Sequence, residues 1–114
     1  MKVKHLTDVK EEIVTKADST KTTVRWLITE KDGAKGFAMR RFEIQPGGQV
    51  GLHDHLEDHQ IFVLQGNCQL FDEKGNKIKL KIGDSAFIPP NEKHGFENNG
   101  DETFSFICVI PYLK

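Results

Sequence analysis

The sequence has little of what marks secreted, membrane-bound or nucleic-acid-binding proteins. Its 2 cysteines, Cys68 and Cys108, lie far apart in 114 residues, which excludes a disulfide framework and favours a cytoplasmic location. It has no apolar run near the roughly 20 residues of a membrane span, and its charged N-terminus lacks the apolar stretch of a secretory signal. The formal net charge is -1 without any basic block, so we expect neither a nucleic-acid partner nor a membrane partner.

Helical patterns are also scarce, whereas strand patterns are dense. Residues 8–16 are the best helical candidate and read equally well as an edge strand. Short segments rich in β-branched and aromatic residues, separated by Gly, Asn-Gly and Pro, cover residues 22–29, 36–44, 61–72, 75–90 and 103–111. Such spacing predicts an all-β sandwich or barrel in one domain over residues 1–114. Residues 1–20 lie outside this rhythm and are predicted to add an edge strand or a dimer arm.

The positive signal is a cluster of histidines. Three of the 5 histidines, His53, His55 and His59, fall within seven residues, and His94 follows the turn at residues 89–91. Residues i and i+2 of a strand share a face, so His53 and His55 can point to one spot. Each could instead be an ordinary half-buried polar residue. However, burying several imidazoles without a shared ligand costs desolvation, so the cluster favours a divalent transition-metal site.

Two motifs around these histidines resemble those of the cupin superfamily. The spacing of the first motif, G-x5-H-x-H-x3,4-E-x6-G, is matched by Gly47, His53, His55, His59 and Gly66. The second, G-x5-P-x-G-x2-H-x3-N, is matched by Gly83, Pro89, His94 and Asn98, with Asn91 in place of its central glycine. The resemblance implies a small single-domain cupin, a jelly-roll β-barrel with motifs at residues 47–66 and 83–98.

The first motif departs from the usual pattern at its glutamate. His59 occupies one allowed position and Gln60 the other, so either could replace the glutamate as fourth ligand. The sequence is similar to small cupins that hold their metal with four histidines, here His53, His55, His59 and His94. That resemblance implies manganese (Mn) as cofactor, otherwise Fe, Ni, Cu or Zn, with two adjacent open positions on the ion.

Strand alternation gives candidates for the pocket around the metal. Arg40 shares parity with apolar neighbours and is predicted to point inward and hold a carboxylate or carbonyl, unless it forms a structural ion pair. Cys108 is a second catalytic candidate, although a buried cysteine often serves as a small apolar side chain. The predicted apolar wall of the substrate pocket consists of Val50, Phe96, Phe106 and Ile110. Trp26 and Phe37 are assigned to the core or a subunit interface.

These features predict a metal-dependent, dioxygenase-like oxidoreductase acting on a small, largely apolar, oxygen-bearing substrate. No convincing general base is present, because Glu57 and Asp58 lie in a bend and are expected to face solvent. The alternatives are a non-catalytic metal or small-ligand binding or sensor module, and a metal-stabilised structural dimer. The expected partners are a small-molecule ligand and a second copy of the chain, in a homodimer joined by the N-terminal segment.

Overall fold

A computed structural model describes residues 1–113 and is built almost entirely of strands. The nine strands are β1 Glu11–Ile13, β2 Thr20–Ile28, β3 Phe37–His53, β4 His59–Gln65, β5 Asn67–Asp72, β6 Lys77–Lys81, β7 Ser85–Ile88, β8 His94–Glu97 and β9 Phe104–Pro111. Three 3₁₀ turns at Leu6–Asp8, Lys16–Asp18 and Glu30–Asp32 are the only helices in the described range. None of them has the length or apolar character of a membrane-crossing helix.

The long strand β3 joins two parts of one curled antiparallel sheet. The first half of β3 pairs with β2 on one side and with β9 on the other, and β4 and β7 follow β9. The second half pairs with β8, which leads to β5 and β6. The two halves face each other as in a jelly roll, so the predicted all-β cupin-type fold is confirmed.

The bend of β3 is made by the sequence Gln45-Pro46-Gly47-Gly48. Gly47 has a φ of +81°, which glycine adopts without strain. A Cβ at Gly48 would overlap the carbonyl oxygens of Thr20 and Gln45, so the close approach of β2 depends on the missing side chain. A turn-like sequence therefore bends the strand without ending it, which explains why β3 extends beyond the predicted residues 36–44.

The core lies between the two halves of the sheet. Ile44 and Phe104 are fully buried, and the Phe106 ring stacks between those of Phe42 and Phe96 at centroid distances of 5.1 and 5.2 Å. Burial of such aromatic and aliphatic side chains is the main term that stabilises a domain of this size. At the edge of the sheet, Leu80 of β6 is buried, whereas Ile78 and Ile82 on the same side are exposed.

The N-terminal residues form an edge strand of their own chain. Strand β1 pairs with β2, Glu11 opposite Arg25 and Ile13 opposite Thr23, so the helical alternative for residues 8–16 is wrong. Beyond β1, Lys16–Asp18 packs against β3. The predicted role of this segment as an arm to a second subunit stays a prediction.

Asn98 joins the bend of β3 to the loop before β9. Its buried side-chain amide donates to the carbonyl oxygens of Ile44 at 2.8 Å and Glu102 at 2.9 Å, and its Oδ1 accepts from the Gly100 N–H at 3.0 Å. Its backbone carbonyl accepts from Gly47 at 2.9 Å. One side chain thus satisfies three backbone groups near the corner of the barrel.

Asn98→Ala should lower the free energy of unfolding by about 2–4 kcal/mol, because three backbone groups lose their hydrogen-bond partner in a buried place. Urea denaturation measures this change. Asn99→Ala, at the exposed neighbouring position, is the control and should change it by less than about 0.5 kcal/mol. Equal effects of the two substitutions would contradict the role given to Asn98.

Candidate metal centre

Three imidazoles converge at one end of the barrel. His53 ends β3 and faces His94, the first residue of β8, across the ladder, while His55 lies just beyond β3. The ring centroids of His53 and His94 are 4.4 Å apart, and those of His55 and His94 are 5.2 Å apart. One ring nitrogen from each of the three lies within 4.8 Å of the others, a spacing that a single metal ion can bridge.

Backbone carbonyls set the orientation of each ring. The Nδ1 atom of His53 lies 2.8 Å from the Gly51 oxygen, that of His55 2.6 Å from the Glu57 oxygen, and that of His94 2.8 Å from the Glu92 oxygen. A carbonyl oxygen only accepts hydrogen bonds, so Nδ1 carries the proton and Nε2 keeps its lone pair.

The Nε2 atoms are thereby left for a ligand. Those of His55 and His94 are buried and have no hydrogen-bond partner among the described residues. Buried polar atoms without partners are uncommon, and metal-binding histidines characteristically donate their other N–H to a carbonyl or carboxylate. The three residues therefore fit a divalent transition metal bound through Nε2.

Burial keeps the imidazoles of His53, His59 and His94 neutral. Removal from water lowers the pKa of His94 to about 4 and lowers the pKa of His53. It also lowers the pKa of His59 to about 3, with a further contribution from the positive charge of Arg40. Neutral imidazole is the form that binds metals, so these groups are ready for a cation at neutral pH.

His59 and Gln60 face opposite sides of β4. His59 is buried in the barrel, its ring stacked on that of His55 at a centroid distance of 4.2 Å, whereas Gln60 is exposed on the outside. Gln60 therefore does not reach the three imidazoles. The His59 Nε2 lies 3.4 Å from Nη2 of Arg40 and 5.9 Å separates its ring from that of His94, so its role as fourth ligand stays a prediction.

Arg40 points into the same cavity, as predicted from strand parity. Its guanidinium lies over the Trp26 and Phe42 rings, 5.1 and 4.8 Å from their centroids, and Nη2 donates to Sγ of Cys108 at 3.1 Å. The side chain is 9% exposed, its Nε has no hydrogen-bond partner, and no carboxylate of residues 1–113 pairs with it. The structural ion pair considered for Arg40 is therefore absent from the described part of the chain.

The cavity has a volume of about 310 Å³, at the small end for ligand pockets. All the predicted pocket residues line it, namely Arg40, Val50, Phe96, Phe106, Cys108 and Ile110. Burial raises the pKa of the Cys108 thiol, so the cysteine is a neutral thiol in this cavity. The catalytic roles of Arg40 and Cys108 stay predictions.

Several lining residues were missed by sequence reasoning. Trp26 lines the cavity and holds Arg40, although it was assigned to the core or an interface. Glu57 was expected to face solvent but is half-buried and lines the cavity. Its backbone carbonyl accepts the hydrogen bond from Nδ1 of His55. Strand parity in β2 gives the one available signal for Trp26, which lies opposite Arg40 in the register.

The segment before β2 forms part of the cavity wall. Val14, Lys16, Ala17 and Ser19 contribute to the lining, and a Cβ on Gly51 would overlap the Ala17 carbonyl oxygen. Ala17 itself has a φ of 54°, an uncommon value for a residue with a side chain. This segment consists of turn residues without periodicity, so no sequence pattern indicated that it lines the cavity.

A family model described as "Cupin domain" matches residues 40–110, which include the strands and histidines of the site. The chain belongs to the cupin family. The match covers more than half of the chain, from Arg40 at the inner wall to Ile110 at the end of β9. The family resemblance of the two histidine motifs is thereby confirmed.

Solved structures with the same fold include enzymes. The chain is 39% identical to the polyketide cyclase RemF from Streptomyces resistomycificus, with a TM-score of 0.91 over 97% of this chain and 79% of that one. It is 27% identical to a predicted oxalate decarboxylase from Thermotoga maritima, with a TM-score of 0.85 over 98% of this chain and 100% of that one.

Among characterised sequences, the cupin is 33% identical over 73 residues to an oxalate-binding protein of Thermotoga maritima. This alignment covers 64% of the chain and 60% of the relative. The cupin thus spans less than two thirds of that relative's length. These relatives differ in what they bind or transform, so they leave the reaction of this cupin to be inferred from its own cavity.

His59→Ala should lower the amount of bound metal several-fold if His59 is the fourth ligand, because imidazole is the stronger donor. Gln60→Ala is the matched control and should leave metal content unchanged, since Gln60 lies on the outer side of β4. Elemental analysis after dialysis against trace metal measures both. Full metal content in His59→Ala would limit the centre to the three converging histidines.

Acid should destabilise the metal-free cupin between pH 6.5 and 4. In that range an unfolded histidine binds a proton, whereas folded His94, with a pKa of about 4, and His59, with a pKa of about 3, do not. The unfolded state therefore gains protons, and the free energy of unfolding falls as the pH falls.

Thermal unfolding followed by circular dichroism tests this, with His59→Gln expected to show the smaller dependence on pH. Hydrogen bonds from Lys4 to Asp32 and from Asn76 to Asp72 lower the pKa values of these two carboxyl groups. Their effect on the free energy of unfolding therefore falls mainly below about pH 4. A melting temperature that stays constant from pH 6.5 to 4 would contradict the burial of neutral imidazoles.

Proposed function

We propose that this cupin is a metal-dependent enzyme acting on a small, largely apolar substrate that carries an anionic or enolisable oxygen donor. The proposal rests on one cavity that contains both the three clustered histidines and the buried Arg40. The Nε2 atoms of these histidines are available to a metal, and Arg40 has no carboxylate partner among the described residues. A cation beside Arg40 would leave the cavity strongly positive. An anionic ligand would offset that charge, as burial of unpaired charges is costly.

The side chains have separate roles in this proposal. His53, His55 and His94 hold the ion, with His59 as the fourth ligand predicted from the motif. When bound, manganese or another divalent ion supplies Lewis acidity toward a substrate oxygen and, if redox-active, reactivity toward O₂.

Arg40 orients the oxygen donor, because a guanidinium forms paired hydrogen bonds with carboxylates and carbonyl groups. Val50, Phe96, Phe106 and Ile110 contact the apolar part of the substrate and exclude water. Cys108 accepts a hydrogen bond from Arg40 and so fixes the direction of the guanidinium. Trp26 and Phe42, whose rings lie against the guanidinium, limit its movement.

Two reaction classes agree with such a site. Dioxygenase-like cleavage is the reaction predicted from the sequence and is supported by the lack of an obvious protein base. Ring closure of a polyketide-like chain needs no oxidant, and it is favoured by the 39% identity to a polyketide cyclase over 97% of the chain. We place ring closure first, because that similarity extends over 97% of the chain, and dioxygenase-like chemistry second.

A non-catalytic binding module is the alternative from another class. The similarity to an oxalate-binding protein supports it, since a cation and Arg40 would also hold a small dicarboxylate. We also propose that the cupin is a homodimer, as predicted from its N-terminal segment. Neither the dimer nor the dicarboxylate is needed for the enzymatic proposal.

The enzyme should convert enolisable substrates in a metal-dependent way. Samples loaded with Mn, Fe or Zn are incubated with poly-β-ketone mimics, catechols, flavonols, acireductones and phenylpropenes, with and without O₂. Ring closure predicts cyclised products without O₂ and with Zn as well as Mn. Dioxygenase-like chemistry predicts O₂ consumption with Mn or Fe only. Binding of oxalate without turnover of any substrate would support the binding module and overturn the enzyme.

Arg40→Gln is the decisive variant for the substrate site. It should raise KM or lower kcat/KM by about 10- to 100-fold, the loss of one charged hydrogen-bond pair, while metal content stays the same. Arg41→Gln is the matched control, because Arg41 is the neighbouring arginine on the outer side of β3 and contacts Glu43. Equal kinetics of the two variants would remove Arg40 from substrate binding.

A further inference from the structure

The fourth histidine of the cavity is hydrogen-bonded to Arg40. Nε2 of His59 lies 3.4 Å from Nη2 of Arg40. A guanidinium carries donors only, so Nε2 of His59 supplies the lone pair that accepts this hydrogen bond. His59 therefore has the same tautomer as the three clustered histidines, with the proton on Nδ1. Its Nε2 lone pair is taken by an arginine, whereas theirs are left for a ligand.

His59 lies next to the three clustered histidines without belonging to their cluster. Its ring centroid is 4.2 Å from that of His55, with the ring planes 22° apart, and 5.9 Å from that of His94. The group of ring nitrogens within 4.8 Å of one another, among residues 1–113, includes the other three histidines and not His59. His59 begins β4 and pairs there with Ile88 of β7, so the sheet holds its backbone. To join the cluster, His59 has only to reorient its side chain.

The contacts that hold Arg40 are weak. Donor–acceptor distances of about 2.9–3.0 Å are usual, so the 3.4 Å contact with His59 is a long one. The other acceptor of Nη2 is Sγ of Cys108, and a thiol accepts hydrogen bonds poorly. Nε of Arg40 has no hydrogen-bond partner in the described chain, and no carboxylate there pairs with the guanidinium. This buried cation is therefore open to a better acceptor.

The lone pair on Nε2 of His59 serves one partner at a time. It accepts a hydrogen bond from Arg40 or it binds a metal ion, but it does not do both. The guanidinium also carries a full positive charge 3.4 Å from this nitrogen, and it repels a cation placed there. Arg40 thus opposes metal binding by His59 in two ways, because it occupies the lone pair and it repels the ion.

An anionic ligand changes this competition. Charge-assisted hydrogen bonds are roughly twice as strong as neutral ones, so a carboxylate or enolate is a better acceptor for Arg40 than an imidazole nitrogen or a thiol. Arg40 and His59 line the same cavity of about 310 Å³, so a ligand that enters it reaches the guanidinium. An anion paired with Arg40 offsets the positive charge and leaves Nε2 of His59 free.

We propose that Arg40 and the bound metal compete for Nε2 of His59, and that an anionic ligand which pairs with Arg40 transfers His59 to the metal. His59 is then an exchangeable fourth ligand, whereas the three clustered histidines keep their positions. Metal and anion each tighten the binding of the other, because the coupling between two ligands is reciprocal. The inference rests on the proposed function, from which it takes the metal at the histidines and the anion at Arg40.

A double-mutant cycle on metal affinity tests the competition. The Zn²⁺ dissociation constants of the wild type, Arg40→Leu, His59→Ala and the double variant are measured by competition with a chromophoric chelator. Affinity is compared, because metal content at saturation does not change. Arg40→Leu should tighten Zn²⁺ binding by about 10-fold or more when His59 is present. It should do so by only about 3-fold or less in His59→Ala, where charge repulsion alone is removed.

Arg41→Leu is the matched control for the cycle. Arg41 lies on the outer side of β3 and contacts Glu43, so its replacement should leave the Zn²⁺ dissociation constant unchanged. Circular dichroism verifies that each variant is folded.

Benzoate is the probe for the anion, since it combines a carboxylate with a small apolar ring. It should tighten Zn²⁺ binding several-fold more in the wild type than in His59→Ala, and this difference should disappear when Arg40 is replaced by leucine. Direct binding of benzoate to the ion would act equally in both His59 backgrounds. Benzamide, which has nearly the same shape and no charge, is the control and should leave the dissociation constant unchanged.

Equal effects of Arg40→Leu with and without His59 would overturn the competition, and equal effects of benzoate in the two backgrounds would overturn the transfer. Neither result would remove the metal binding or the turnover on which the proposed function stands. A wild type that binds no Zn²⁺ would instead overturn the proposed function together with this inference.

Discussion

The long bent strand β3 is the constraint on which the rest of the molecule depends. Its first half carries Arg40 between β2 and β9, and its last residue, His53, pairs with His94 of β8. One continuous backbone thus fixes the distance between the guanidinium and the imidazoles. The bend at residues 45–48 needs glycine, because β2 passes too closely for a side chain at Gly48. The Asn98 hydrogen bonds then hold the corner against the loop that follows β8.

The electrostatics of the cavity follow from this rigid arrangement. The Nδ1–H group of each imidazole donates a hydrogen bond to a backbone carbonyl, so three Nε2 lone pairs remain directed to one place at a low cost in conformational freedom. Arg40 packs against two aromatic rings and pairs with no carboxylate in the described chain. A site with neutral ligands and an uncompensated cation is suited to anions, which sets a limit on every function considered for the cavity.

Local patterns predicted most of the fold, and spacing predicted the metal site. Strands β4 and β5 lie largely within the strand-like segment predicted at residues 61–72, and the side of β9 with Phe106 and Cys108 was assigned correctly to the interior. The predictions failed where tertiary contacts decide. Glu57 was expected to face solvent, but it lines the cavity, and its carbonyl oxygen lies 2.6 Å from Nδ1 of His55. Trp26 was assigned to the core or an interface, but it lines the cavity beside Arg40. No periodicity records such contacts, because both arise after distant segments have met.

The alternation of side chains along a strand links the cavity to the outer surface. Arg40, His59 and Cys108 line the cavity, whereas their neighbours Arg41, Gln60 and Val109 lie on the outer side of the sheet. A slip of one residue in the register of β4 or β9 would exchange these sets. The candidate metal ligands would then point to the surface, and the side chains of the outer side would point into the cavity. The buried phenylalanines of the core oppose such a slip, so the packing that stabilises the barrel also keeps the candidate metal ligands in its interior.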